Sequence, residues 1–519
     1  MPRRLLALLA LGAIAACSVD GPGVSVGTTG PLPVETTTAP DVAVPGTTGA
    51  PGAGGATPTD QGPADGAPAD GGRAVGEPWT GHPPNGLGDP LLPELGSPGL
   101  DVEHYALALT IDPGAAVLHG TVDIRFSVTA DADTVAFDAG ALLDIGTVTI
   151  DGATAPASHT ESELVIDPAG SLVAGTEYDA TIDWDVSPRA LSGPDGLPLG
   201  WFGGSGGSFV LDEPNGLHSW MPANDHPSDK ATWSFDLNVP AGITAVANGK
   251  LASHETVGSS ERWRWEATAP MSSYLVLVMT GRFDLIDEDG PDGIAIQHAV
   301  LTELRAQTEP ALALTDDMLR FFADRFGPYP FDVYGVAVTH AVPGLAMETQ
   351  TRSLFDDGDL AVGEATPMVH LLLAHELAHQ WFGDAVSPAS WSDTWLNEGF
   401  ATYGEWMWME HAGFGSVDDS AETALRQGRG FPPPDPPADQ MFDRTVYDGG
   451  GVVLHALRRE LGDDSFFAVL RGWVQDHLGE SRSTADFVAY VEHVTNRDLS
   501  EFFATWLFTQ DPPDAFPVG

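Results

Sequence analysis

Residues 366–383 read Thr366-Pro-Met-Val-His-Leu-Leu-Leu-Ala-His375-Glu376-Leu377-Ala378-His379-Gln-Trp-Phe-Gly383. Thr366 suits an N-cap, Pro367 the first helical position and Gly383 a helix end, so the stretch predicts a helix from Pro367 to about Phe382. His375 and His379 stand four residues apart, on one helix face and one turn from each other. Two imidazole nitrogens so placed can each reach one zinc ion at about 2.0–2.1 Å. Glu376 lies beside them, able to contact water on the metal. Eighteen residues separate His379 from Glu398, which lies in Asn397-Glu398-Gly399. That segment belongs to a second predicted helix, starting near Ser392 or Asp393 and running to about His411, before Gly413. Joined by a short loop, the second helix can fold back so that Glu398 supplies a third ligand. Three protein ligands leave a fourth position for water, which is the catalytic arrangement of zinc rather than the structural one. The bland alternative, two helix-face histidines and a solvated glutamate, would make an expensive core beside Leu371, Leu372 and Trp381.

Helical periods begin near Thr302, first with Leu312 to Phe326. Before them, residues 101–290 show short alternating runs such as Tyr105-Ala-Leu-Ala-Leu-Thr-Ile111 and Thr121-Val-Asp-Ile-Arg-Phe126, separated by turn residues. These read as an antiparallel β domain. The fold class is therefore α+β and multidomain, with β structure at 96–292 and a mostly helical domain at 293–519.

Residues 1–17 have the layout of an export signal, with Arg3 and Arg4 ahead of an apolar stretch from Leu5 to Ala16. Cys17, the only cysteine in 519 residues, follows Ile14-Ala15-Ala16 and resembles the lipidated cysteine of a bacterial lipobox. Cleavage after Ala15 is the alternative, giving a secreted protein. Residues 18–95 are rich in Gly, Pro, Thr and Ala and predict a disordered tether. The expected location is the outer face of a bacterial cell membrane, with the protein held by a lipid on Cys17. A single cysteine allows no intramolecular disulfide and no multi-cysteine metal site.

Lys+Arg 22 against Asp+Glu 74 gives a net charge of −52, which excludes non-specific nucleic-acid binding and disfavours docking on an anionic membrane. The charge belongs to the body of the chain, because residues 96–519 retain 65 acids and 19 bases.

The pattern His375-Glu376-x-x-His379, eighteen residues, Glu398 resembles the zinc aminopeptidase family of aminopeptidase N and leukotriene-hydrolase type. Met221-Pro-Ala-Asn-Asp-His-Pro-Ser-Asp-Lys-Ala-Thr-Trp233 and the Asn248-Gly249 turn resemble that family's β-domain segments. The resemblance implies a thermolysin-like catalytic domain, one zinc per chain on His375, His379 and Glu398, and Glu376 as general base. It also implies Tyr447 as the catalytic tyrosine, placed before a helix that starts at the glycines after it. Leu345-Ala346-Met347-Glu348-Thr349 is similar to the family's substrate strand, with Glu348 binding the substrate's α-ammonium and Ala346 and Met347 lining the peptide. Glu213, in Leu211-Asp212-Glu213-Pro214, matches a second ammonium-binding glutamate. Leu345, Thr349 and Gly449 (where the family has lysine) depart from the pattern. The family's further C-terminal helical domain has no counterpart before Gly519, which implies an open cleft that accepts longer peptides. The implied protein is a monomeric aminopeptidase acting on peptides with a free N-terminus. A zinc endopeptidase, an epoxide hydrolase and a non-catalytic binding lipoprotein are the competing readings.

Other motifs carry less. Gly203-Gly-Ser-Gly-Gly207 lacks a following helix and reads as a loop rather than a hydrolase elbow. Asp287–Gly293 reads as a turn, and His218, His226, His340 and His370 as structural. Trp391, Trp395, Trp406 and Trp408 read as packing.

Overall fold

The computed structural model describes residues 86–112, 117–204 and 207–518. The export signal, Cys17 and most of the proposed tether lie outside these residues. Among the described residues no helix is long and apolar enough to cross a membrane.

Period-two alternation builds the β half. In the strand Leu118–Val128, Leu118, Val122, Ile124, Phe126 and Val128 turn inward while His119, Asp123 and Arg125 face water. This strand lies within an eight-stranded sheet, ordered 250–257, 260–272, 230–240, 100–110, 118–128, 178–186, 143–150 and 153–154. One pair departs from the antiparallel expectation. Leu100–Thr110 runs parallel to Lys230–Pro240, with Tyr105 opposite Trp233 and the two rings stacked at 4.1 Å. Alternation reveals which face is buried but not strand direction. Smaller five-stranded and three-stranded sheets complete this half.

Both ends of the β half are tied to their neighbours. Residues 86–95 are packed rather than part of a loose tether: Leu95 is buried, and the Asp89 carboxylate accepts from Trp391 N at 2.8 Å and sits 3.3 Å from His226 Nε2. One buried, fully bonded aspartate anchors a segment whose composition otherwise reads as disordered. At the other end, Phe283–Asp289 pairs with Ala295–Leu301 in a four-stranded sheet that continues through Val333–Thr339 and Arg352–Asp356. Phe283–Asp289, drawn within the β half, thus shares a sheet with strands of the second domain. The Asp287–Gly293 turn lies inside that sheet's first hairpin, and local alternation cannot tell which sheet a hairpin joins.

Helix Thr315–Phe326 buries Met318, Leu319, Phe321, Phe322 and Phe326. Helix Pro367–His379 begins as expected, with Thr366 Oγ1 accepting from Val369 N at 3.3 Å. Trp381 just beyond it is fully buried among the rings of Phe322, Phe326 and Tyr329, and its Nε1 donates to Gly327 O at 3.0 Å. Burial of such a ring contributes on the order of 3 kcal/mol, and here it fixes the end of the histidine-bearing helix. Helix Trp395–His411 packs on one side against Pro367–His379 and on the other against Arg444–Leu461.

Several hydrogen bonds tie the halves together next to the site. Lys230 Nζ donates to Asp384 O at 2.6 Å and Ser387 Oγ at 3.0 Å, and Asn248 Nδ2 donates to Gln350 O at 2.8 Å.

Candidate metal centre

His375 and His379 project from the last turns of their helix toward Glu398, which lies in the first turn of helix Trp395–His411. His375 Nε2 is 3.2 Å and His379 Nε2 3.4 Å from the same oxygen, Glu398 Oε2. All three side chains are buried, and each offers a ligand atom within 4.8 Å of the other two. Two imidazoles and one carboxylate on a common point are a fitting donor set for zinc.

The surroundings call for positive charge. Glu348 and Glu376 cluster with His379, and Glu213 and Glu348 cluster with Glu398, each group within the same 4.8 Å limit. Burial, the charges of Glu348 and Glu398 adding to it, pushes the Glu213 carboxyl well up. Burial likewise lifts Glu376, to about 8, although both imidazoles pull against it. Burial also opposes ionisation of Glu398, but the two imidazoles prevail and hold it near 2. For His375 burial works against protonation, and the Glu398 and Glu405 carboxylates still raise it to about 9. So many buried acids around two imidazoles are far better matched by a divalent cation than by protons.

A second ring of side chains aims the ligands. His379 Nδ1 is 2.6 Å from Asn397 Oδ1, and Asn397 Nδ2 donates to Glu348 Oε1 at 3.0 Å. A Cβ on Gly383 would stand 1.9 Å from Asn397 Oδ1, and Gly383 has φ 119°, so glycine is required there twice over. Gln380 Nε2 donates to Glu348 O at 3.0 Å, while Gln380 Oε1 accepts from Thr351 N at 2.8 Å. Glu405, two turns beyond Glu398, brings Oε2 to 3.5 Å from His375 Nδ1, an ion-pair separation without a formed hydrogen bond. Sequence reasoning gave Asn397, Gln380 and Glu405 no role. The signal available for Glu405 was its i+7 spacing from Glu398.

Tyr447 comes in from helix Arg444–Leu461, its ring stacked on His375 at 5.9 Å between centroids. The helix does not start at the glycines after it. It begins at Arg444, capped by Asp443, and Tyr447 is inside it. The glycines serve the crossing with the neighbouring helix, where a Cβ on Gly450 would lie 2.6 Å from Gly399 Cα. This near contact is what brings Tyr447 against the ligand-bearing helices. Where the family lysine is missing, the Arg429 guanidinium packs beside Gly449 and donates to its carbonyl at 3.0 Å.

The backbone of Met347 is engaged within the protein. Its N–H donates to Leu354 O at 2.9 Å and its carbonyl accepts from Leu354 N at 2.8 Å, and its side chain is buried. A bridge to the neighbouring strand uses the backbone groups a peptide would need. Ala346 and Leu345 beside it are half-buried.

His218, His226 and His370 are structural as expected, bonded to Asp225, Ser228 and Trp408 respectively. Trp391, Trp395, Trp406 and Trp408 are all core.

Comparison with known proteins matches residues 311–429 and 433–506 to the Peptidase family M1 domain, and residues 212–275 to the Peptidase M1 N-terminal domain. Aminopeptidase M1 of Arabidopsis thaliana is 26% identical over 464 residues, covering 81% of this chain and 51% of its own. Aminopeptidase M1-C of Oryza sativa subsp. japonica is 29% identical over 321 residues, 56% of this chain and 36% of its own. The chain thus spans about half or less of the length of these relatives. Against solved structures the correspondence spans nearly the whole of the neighbour. The M1 zinc metallopeptidase from Deinococcus radiodurans superposes with TM-score 0.77 at 30% identity, covering 83% of this chain and 100% of that one. A mutant of that enzyme bound to a Tyr-Ser-Ala substrate superposes with TM-score 0.76 at 28% identity, covering 83% of this chain and 99% of that one.

Proposed function

The chain belongs to peptidase family M1, and on that premise we propose that it is a zinc-dependent aminopeptidase removing residues from the free N-terminus of peptides. The observation that carries this reading is the meeting of Glu213, from the β half, with Glu348 beside the His375–His379–Glu398 trio. Two carboxylates of different origin form a socket for an α-ammonium, and an ammonium fixed there leaves the first peptide bond next to the metal position.

His375, His379 and Glu398 would hold a zinc ion that, when bound, would acidify a water and polarise the scissile carbonyl. Glu376 takes the water's proton as general base and hands it to the departing amine. The Tyr447 hydroxyl donates to the oxygen that gains charge as the carbonyl carbon becomes tetrahedral, a contact that strengthens toward the transition state. Asn397 holds His379 through Nδ1, leaving Nε2 as the ligand atom, and steadies Glu348 with its amide nitrogen. Ala346, half-buried next to Met347, would line the bound peptide.

Export and anchoring through a lipid on Cys17 at the outer face of a bacterial membrane complete the proposal, with the enzyme working as a monomer. The tests are hydrolysis of aminoacyl-nitroanilides with and without a zinc chelator, and labelling of Cys17 with a fatty-acid analogue. Chelator-sensitive release from free amines but not from N-acetylated peptides supports the reading. Equal cleavage of both overturns the ammonium socket and favours an endopeptidase.

A further inference from the structure

Among the described residues no hydrogen bond reaches the Tyr447 hydroxyl. Its place is set by the ring, stacked on His375, and by the backbone of helix Arg444–Leu461. A loop grips that helix close to the tyrosine. Helix Val417–Gln427 ends at Gly428, and the next residue, Arg429, turns its guanidinium onto backbone carbonyls of two other segments. It donates to Gly449 O at 3.0 Å, to Trp506 O at 2.6 Å and to Thr509 O at 3.4 Å. Gly449 stands two residues after Tyr447, and Trp506 closes the helix Ser500–Trp506. Arg429 forms no ion pair among the described residues, and burial lowers its guanidinium to about 10. A cation withdrawn from water without an acid beside it is costly to keep. What it supplies instead is a rigid fork of donors, suited to holding separate carbonyls at fixed spacing.

The approach is tight. A Cβ on Gly449 would stand 3.3 Å from Arg429 Nε and 3.3 Å from Pro433 Cγ. Pro433 belongs to the run Phe431-Pro-Pro-Pro-Asp-Pro-Pro437, whose fixed φ angles stiffen the loop. Two further bonds join the same loop to the first turn of the helix: Gly430 N donates to Thr445 Oγ1 at 3.1 Å, and Arg444 Nη2 donates to Gly428 O at 3.1 Å. The crossing at Gly450 sets how near the helix lies to its neighbour, but a close crossing alone leaves it free to slide and turn. We infer that Arg429 is a positioning residue for Tyr447, which ties Gly449 to the C-terminal segment and so fixes where the tyrosine hydroxyl meets the substrate oxygen. This role rests on the catalytic reading of Tyr447.

The test is a double-mutant cycle on the zinc-loaded chain with an aminoacyl-nitroanilide, read beside the fluorine resonance of fluorotyrosine incorporated at position 447. Arg429→Met should lower kcat about 10- to 100-fold, the scale of a reacting group displaced by about 1 Å, with KM and zinc content little changed. Arg429→Lys keeps the charge but not the fork and should recover only part of the loss. In a Tyr447→Phe background Arg429→Met should cost nothing further, because no hydroxyl is left to misplace. The resonance should shift in Arg429→Met and move back toward its original place in Arg429→Lys. Equal losses of kcat in both backgrounds, or an unmoved resonance, overturn the inference. Should Arg429→Met fail to fold, the same cycle run with Arg429→Lys decides between these outcomes. If Tyr447→Phe keeps full turnover while the resonance still follows Arg429, the catalytic reading of Tyr447 fails and the positioning stands.

Discussion

Asn397 Oδ1 lies 2.6 Å from His379 Nδ1, and the same amide reaches Glu348 Oε1 through its nitrogen. One side chain thus links a metal ligand to the carboxylate proposed to receive the substrate. Replacing it should disturb both. Asn397→Ala is expected to weaken metal affinity about 10- to 100-fold and to raise KM. A chelator competition assay beside steady-state kinetics measures the two effects, and an unchanged metal affinity would remove the orienting role.

Gly383→Ala places a methyl 1.9 Å from Asn397 Oδ1 at φ 119°. Strain and clash together should cost at least about 2 kcal/mol, seen as a lower urea midpoint, with loss of metal affinity as Asn397 is displaced. Full stability in this variant would mean that the loop after His379 is far more yielding than its packing implies.

The β half carries its own pH dependence. Burial raises Asp138 to about 6, Asp229 to about 7 and Glu163 to about 8, the Asp138 charge adding to the last. Each group binds its proton more tightly folded than unfolded. Their stabilisation is complete below the unfolded carboxylate range near pH 4 and is lost as pH rises toward 8. Urea unfolding of metal-free protein should show stability from these groups falling across that window. Glu163→Gln should flatten the fall, and an unchanged slope would show that Glu163 is solvated.

The metal trio was legible in the sequence because its geometry is local. An i, i+4 pair fixes two ligands on any helix, and Thr366 and Pro367 mark the start of that helix by their own backbone preferences, whereas its end falls at His379, short of the expected Phe382 and Gly383. Glu398 needed only a short return between helices. Asn397, Gln380 and Glu405 were not legible, because a polar residue's partner is chosen by tertiary packing. For the same reason the glycines after Tyr447 looked like a helix start when they are a helix crossing. The parallel strand pair, the sheet joined by Phe283–Asp289 and the docking of Asp89 likewise depend on distant partners. Met347 was assigned from a motif, and only its bridge to Leu354 shows its backbone to be taken.

The most direct test is metal content per chain by elemental analysis of purified protein, comparing the unmodified chain with His375→Ala and Glu376→Ala. The expected result is about one zinc in the unmodified chain, retained in Glu376→Ala with hydrolysis lost, and absent from His375→Ala. A His375→Ala protein that keeps its zinc would contradict a metal centre built from His375, His379 and Glu398.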